Sequence, residues 1–153
     1  ASSVGGALPS KITARLWKQL VDGGFGGAHV WTWNELDGRG LHAVSDFTRG
    51  VAAAEKFLDE KNEVPSKDFI SGMPDGYVFA YRKDGEYLYL AINKNIATKK
   101  IAVTVPKGFE AEDLMSGKTL KAGKNISAEI APNSVMLLRV KAPESFLERL
   151  WIF

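Results

Sequence analysis

Two periodicities divide the chain. In the first half apolar residues recur at helical spacing: Ile12, Leu16, Trp17, Leu20 and Val21, then Phe47, Val51, Ala54, Phe57 and Leu58. From Gly76 the period drops to two, with clean alternation over Tyr77 to Tyr81 and Glu86 to Asn93. The fold class this predicts is α/β followed by all-β.

The punctuation refines it. Residues 1–9 are small and Gly-rich, a loop, and Ser10 is placed to cap the first helix. Gly23 and Gly24 end that helix, since glycine relieves the left-handed turn at a helix C-terminus. Gly26-Gly27 then leads into Ala28-His29-Val30-Trp31-Thr32-Trp33, a near-continuous apolar run between two helices, which predicts a buried parallel strand. Asn34 to Gly40 reads as a polar loop, Ser45 or Asp46 as the cap of a second helix, and Asn62 as its frayed end.

Residues 64–75, with two prolines, read as a linker. Lys83-Asp84-Gly85 predicts a tight hairpin turn. Further short strands are expected at 100–105, 109–114, 126–130 and 134–140. They are separated by turns at Pro106 to Gly108, Ser116-Gly117, Ala122 to Lys124 and Pro132-Asn133. Together they predict an antiparallel β-sandwich over 76–141. Residues 142–153 form a tail, whose Phe146, Leu147, Leu150 and Trp151 suit a short docking helix.

Composition narrows the chemistry. The 153 residues carry a net charge of +2 with scattered basic residues, which gives no reason to propose nucleic acid or an acidic membrane surface as partner. No apolar run approaches a membrane span. The absence of cysteine removes disulfides and thiolate chemistry, and the two histidines, His29 and His42, are too far apart in sequence for a helical metal pair. No motif calls for a metal or a cofactor. Asn125-Ile126-Ser127 matches the short glycosylation sequon.

The chemically suggestive segment is Trp31-Thr32-Trp33-Asn34-Glu35-Leu36-Asp37-Gly38. It falls where a parallel strand gives way to its following loop, the end at which α/β barrels build active sites. Tryptophans two apart share one side of a strand, and an indole offers a rigid apolar face with a polar edge, suited to a sugar ring. The alternative is that both are strand core. Asn34, Glu35 and Asp37 can supply hydrogen bonds or acid–base chemistry, yet carboxylates two apart in one loop rarely flank a glycosidic bond. Glu35 is therefore a catalytic candidate only in the weak sense of proximity.

The order helix, Gly-Gly, then a strand ending Trp31-Thr32-Trp33-Asn34 resembles the seventh helix and eighth strand of the clan A retaining glycosidases, which are (β/α)₈ barrels. The resemblance implies that Trp31 or Trp33, the latter preferred, lines the subsite of the cleaved sugar, with residues 45–62 as the eighth helix. Asp113-Leu114-Met115-Ser116-Gly117-Lys118, followed by Ile130 to Leu138 with Pro132, is similar to the sandwich that follows such barrels in β-galactosidases. On this alignment the clan's acid/base and nucleophile positions, after strands four and seven, lie outside the chain. The pair Asn34-Glu35 also resembles the clan's acid/base motif, but a single helix between it and the sandwich leaves no room for four more βα units. The resemblance thus implies substrate contacts from Trp31, Trp33, Asn34 and Glu35, a glycoside or oligosaccharide substrate, and the remaining barrel on another chain or a longer precursor. A carbohydrate-binding sandwich, displaying Tyr77, Phe79 and Tyr81 or Tyr87 and Tyr89 as an aromatic row, and a purely structural module are the alternatives.

Overall fold

The computed structural model describes residues 9–26, 38–120 and 125–143. The first helix, α1 (Pro9–Asp22), starts one residue before the expected cap, on a proline whose fixed φ suits a first helical turn. The second, α2 (Gly38–Ala54), begins well before Ser45 and Asp46, so Gly38 to Gly40, expected as loop, are helical. The reason is visible in burial. Gly40, Ala43, Gly50 and Ala54 are buried and continue the helical period backwards in residues too small to register as an apolar stripe. Phe57, expected on the helix, follows it in a turn closed by its N–H to the Ala54 carbonyl (2.9 Å) and is still buried.

The strands are β1 (Glu63–Val64), β2 (Ile70–Ser71), β3 (Val78–Lys83), β4 (Glu86–Asn93), β5 (Lys99–Thr104), β6 (Glu110–Asp113), β7 (Thr119–Leu120), β8 (Asn125–Ile130) and β9 (Ser134–Lys141). All pairings are antiparallel, in a six-stranded sheet of order β1-β3-β4-β9-β6-β7 and a three-stranded sheet of order β2-β5-β8. Segment 64–75 carries more structure than a linker. Val64 pairs with Ala80 and Ile70 with Val103, so this stretch stitches one sheet to the other.

Two cores result. Between the sheets lie Ile70, Val78, Ala80, Tyr89, Ala91, Ile101, Val103, Ala111, Leu138 and Val140. On the other face of the six-stranded sheet, Ala14, Trp17, Leu20, Ala54 and Phe57 from the helical half pack on Tyr81, Leu88, Leu90, Ile92 and Leu137. Strand β4 is therefore buried on both faces from Leu88 to Asn93, which explains why a strand of an antiparallel sheet is so uniformly apolar. The sheet is the middle of three layers.

The turns follow their residue chemistry. Asp84 and Gly85 both take positive φ (53° and 75°), the two-residue turn whose twist matches that of the flanking strands. In Asp113 to Gly117, the Asp113 carboxylate accepts from the Met115 N–H (2.9 Å), Gly117 takes φ 74° and its N–H returns to the Asp113 carbonyl (2.7 Å). This phrase is a hairpin device. Asn93, fully buried, donates through Nδ2 to the carbonyls of Ala97, Ile130 and Ala131 and accepts from the Asn95 N–H.

Candidate functional site

Trp31, Trp33, Asn34 and Glu35, together with His29 and Asp37, lie outside the described residues, as does the expected strand of residues 28–33. What is described is the frame on either side. At the near end, α1 closes through Gly23, Gly24 and Phe25, with φ of 64° at Gly24 and 66° at Phe25. The Phe25 ring meets Tyr81 edge-on, with centroids 5.8 Å apart. At the far end the chain resumes at Gly38 with α2.

The two helices run in the same direction. Thr13 lines one cleft with Ala43 and Asp46, the Trp17 ring meets Phe47 edge-on (5.3 Å), and a Cβ on Gly50 would lie 3.1 Å from that indole. Beyond the helix ends, a Cβ on Gly24 would lie 3.1 Å from the Glu60 carboxylate. Contacts thus advance together along both helices. An antiparallel pair can be joined by a loop of a few residues; a parallel pair requires the chain to travel back the length of α1, about 21 Å for 14 residues.

Leu16 and Ala43 are each 4% exposed, yet neither belongs to the core on the sheet. Ala43 borders the cleft that Met115, Ser134 and Val135 also line, whereas Leu16 is buried away from that cluster.

His42 sits in the second turn of α2 with its side chain largely exposed, its Nδ1 3.9 Å from Asp46, which in turn accepts from Arg49 (3.0 Å). Among the described residues no group of His, Asp and Glu is arranged to hold a metal ion. The aromatic rows are spent on packing. Tyr81 and Tyr89 are fully buried, and Tyr77 and Phe79 pack against the helix-side core. Tyr87 packs against the inter-sheet core and meets Phe69 and Phe109. Burial, with Glu63 and Glu60 nearby, raises the Tyr81 hydroxyl above the usual phenol range, and burial with Tyr87 does the same for Tyr89. Neither row is a free surface for a sugar.

One polar cluster has no counterpart among the sequence motifs. Glu86 accepts from Arg139 at both oxygens (2.9 and 3.0 Å) and from Lys56. Burial alone would raise its carboxyl, but the hydrogen bonds and charges of Lys56 and Arg139 outweigh it and hold Glu86 below the usual carboxylate range. The three are scattered in sequence, so no local pattern marks them.

No protein-family model matches the chain, and no curated protein does. Solved structures do. The fold is similar to that of α-galactosidase I from Mortierella vinacea, with a TM-score of 0.59 at 12% identity over 92% of this chain and 37% of that one. It is similar to a GH27 β-L-arabinopyranosidase from Geobacillus stearothermophilus, with a TM-score of 0.55 at 14% identity over 87% of this chain and 30% of that one. It is also similar to the isomalto-dextranase of Arthrobacter globiformis T6, with a TM-score of 0.57 at 20% identity over 90% of this chain and 24% of that one. At these identities the likeness is one of fold. The chain, two helices on mostly antiparallel sheets, shares its fold with a portion of several glycoside hydrolases and spans well under half of their length.

Proposed function

We propose that this chain is the C-terminal portion of a retaining glycoside hydrolase. In this assignment residues 28–33 are the last barrel strand, flanked by α1 and α2. Trp31 and Trp33 offer the aromatic platform for the sugar, Trp33 foremost, and Asn34 and Glu35 add polar contacts. The two sheets stabilise the barrel's end from behind the helices. The observation that carries the proposal is the parallel helix pair. Residues 23–37, with an extended reach of about 50 Å, are long enough to return along α1 as a strand, and a helix–strand–helix passage of this kind is the repeating unit of an α/β barrel. The burial of Leu16, outside the core on the sheet, supports it. So do the folds of the glycoside hydrolases it resembles.

One βα unit cannot close a barrel. The catalytic carboxylates would come from the rest of a longer polypeptide or from a companion chain, and the reaction would be double displacement through a glycosyl-enzyme intermediate. Glu35 would contact substrate without being the proton donor. A carbohydrate-binding module built on the Tyr77 or Tyr87 rows gains no support, because Tyr81 and Tyr89 are buried and Tyr77, Phe79 and Tyr87 are half-buried against the two cores.

The test is steady-state hydrolysis of a panel of aryl glycosides by the native material that carries this sequence, compared with Trp31→Ala and Trp33→Ala. We expect a loss of kcat/KM of roughly 10–100-fold at one of the two positions, the scale of removing an aromatic platform from a desolvated subsite. Wild-type kcat/KM in both variants would defeat the assignment.

A further inference from the structure

A cleft of about 270 Å³ opens at the end of the helix pair where α2 begins, between the helices and the two-sheet body. Among the described residues its walls come from four elements: Thr13 of α1, His42, Ala43 and Asp46 of α2, Met115 of the turn between β6 and β7, and Ser134 and Val135 of β9. Among the described residues Asp46 is the acidic group of the walls, and Arg49 pairs with it from the same helix at 3.0 Å. Among the described residues the Thr13 and Ser134 hydroxyls have no hydrogen-bond partner. Each can donate and accept. Ala43, Met115 and Val135 add apolar lining, and methionine adapts its shape to what it meets.

We infer that this cleft is a saccharide-binding site, which takes one uncharged sugar ring. A pyranose presents hydroxyls at its edge and C–H groups on its face. The edge would meet Asp46, Thr13 and Ser134, and the face would rest on Met115 and Val135. The volume of about 270 Å³ has room for one ring. The choice of a saccharide over another neutral polyol rests on the proposed glycosidase function; the presence of polar groups among mostly apolar walls does not.

The experiment is methyl-detected NMR on the native protein, following Thr13, Ala43, Met115 and Val135 together with the tryptophan indole N–H signals, during titration with galactose and with glucose. The expected result is a saturable shift of the Ala43 and Met115 methyls, with a dissociation constant on the order of 1–10 mM, as befits a dozen-atom ligand in an open cleft. Binding should weaken roughly tenfold in Asp46→Ala and by less in Thr13→Val. Silent cleft methyls, or shifts indifferent to both variants, overturn the inference. If the indole signals respond while the cleft methyls stay silent, the cleft site falls and the proposed function stands. If the cleft methyls respond as expected and the indoles are silent, the cleft site stands without support from the barrel assignment.

Discussion

Trp17 is the residue on which the docking of helices to sheet turns, and Trp17→Ala measures that docking. The indole is fully buried, meets Phe47 edge-on at 5.3 Å, and fits against Gly50, where even a Cβ would approach it to 3.1 Å. Removing so large a buried ring costs about 3–5 kcal/mol in transfer energy and cavity. Within that total, the edge-to-face pairing with Phe47 accounts for about 0.5–1.5 kcal/mol. One contribution opposes the destabilisation: Nε1 is buried with no partner, and deleting an unsatisfied donor returns about 1–3 kcal/mol. Taking the middle of each range, the net expectation is a destabilisation of about 2 kcal/mol. Urea unfolding followed by far-UV circular dichroism and tyrosine fluorescence reads this directly. With a slope of about 2 kcal/mol per molar, the midpoint should fall by about 1 M, and both probes should move together. Trp17→Phe removes the orphan N–H while keeping a ring, and should cost less than about 2 kcal/mol. A midpoint shift below about 0.5 M for Trp17→Ala, or a wild type whose helix signal melts before its sheet signal, would refute the reasoning, since the helices would then not be held by this face of the sheet.

Other substitutions probe the remaining parts. Glu86 has a folded-state pKa below its unfolded value, so its contribution is present above an ordinary carboxylate pKa and is lost as pH falls through the folded value. Unfolding midpoints measured from pH 6 down to 3 should therefore decline, and Glu86→Gln should flatten that decline while costing about 1–2 kcal/mol near neutrality, screened as its partners partly are. Asn93→Ala strands the Asn95 N–H and withdraws a donor from three carbonyls; a loss of about 2–4 kcal/mol in thermal or urea unfolding is expected, and a loss under about 1 kcal/mol contradicts the network. Gly85→Ala puts a side chain at φ 75° and should cost about 1 kcal/mol, read as a lower melting temperature; an unchanged or raised value would mean the turn has another conformation.

Most strands of the all-β half are legible in the sequence to within a residue or two, because alternation and turn chemistry are local; the two-residue β7 is not among the expected strands. Strand β4 falls where Glu86 to Asn93 alternates, and Asp84-Gly85 forms the hairpin its residues call for. Its double-sided burial is not legible, since alternation says nothing of a second layer packing on the outer face. For the same reason Tyr77 and Phe79, candidates for a surface row, pack against the helix-side core. The start of α2 lies earlier than its apolar stripe indicates because its first turns bury Gly40 and Ala43, where small size rather than hydrophobicity allows the close packing. The prolines of segment 64–75 suggest a linker, yet two-residue strands suffice to tie it to both sheets. Of the site, the aromatic segment at Trp31 and Trp33 is visible as a chemical pattern. The Glu86 cluster and the cleft at Thr13, Asp46 and Ser134 are not, because each draws single residues from separate elements.

The most direct test of the central claim is the intact mass and subunit content of native, glycoside-hydrolysing material that contains this sequence. The account predicts that about 300 or more further residues accompany these, in the same polypeptide or in a companion chain, enough to supply the missing barrel strands. A lone 153-residue species that folds and acts by itself would contradict it.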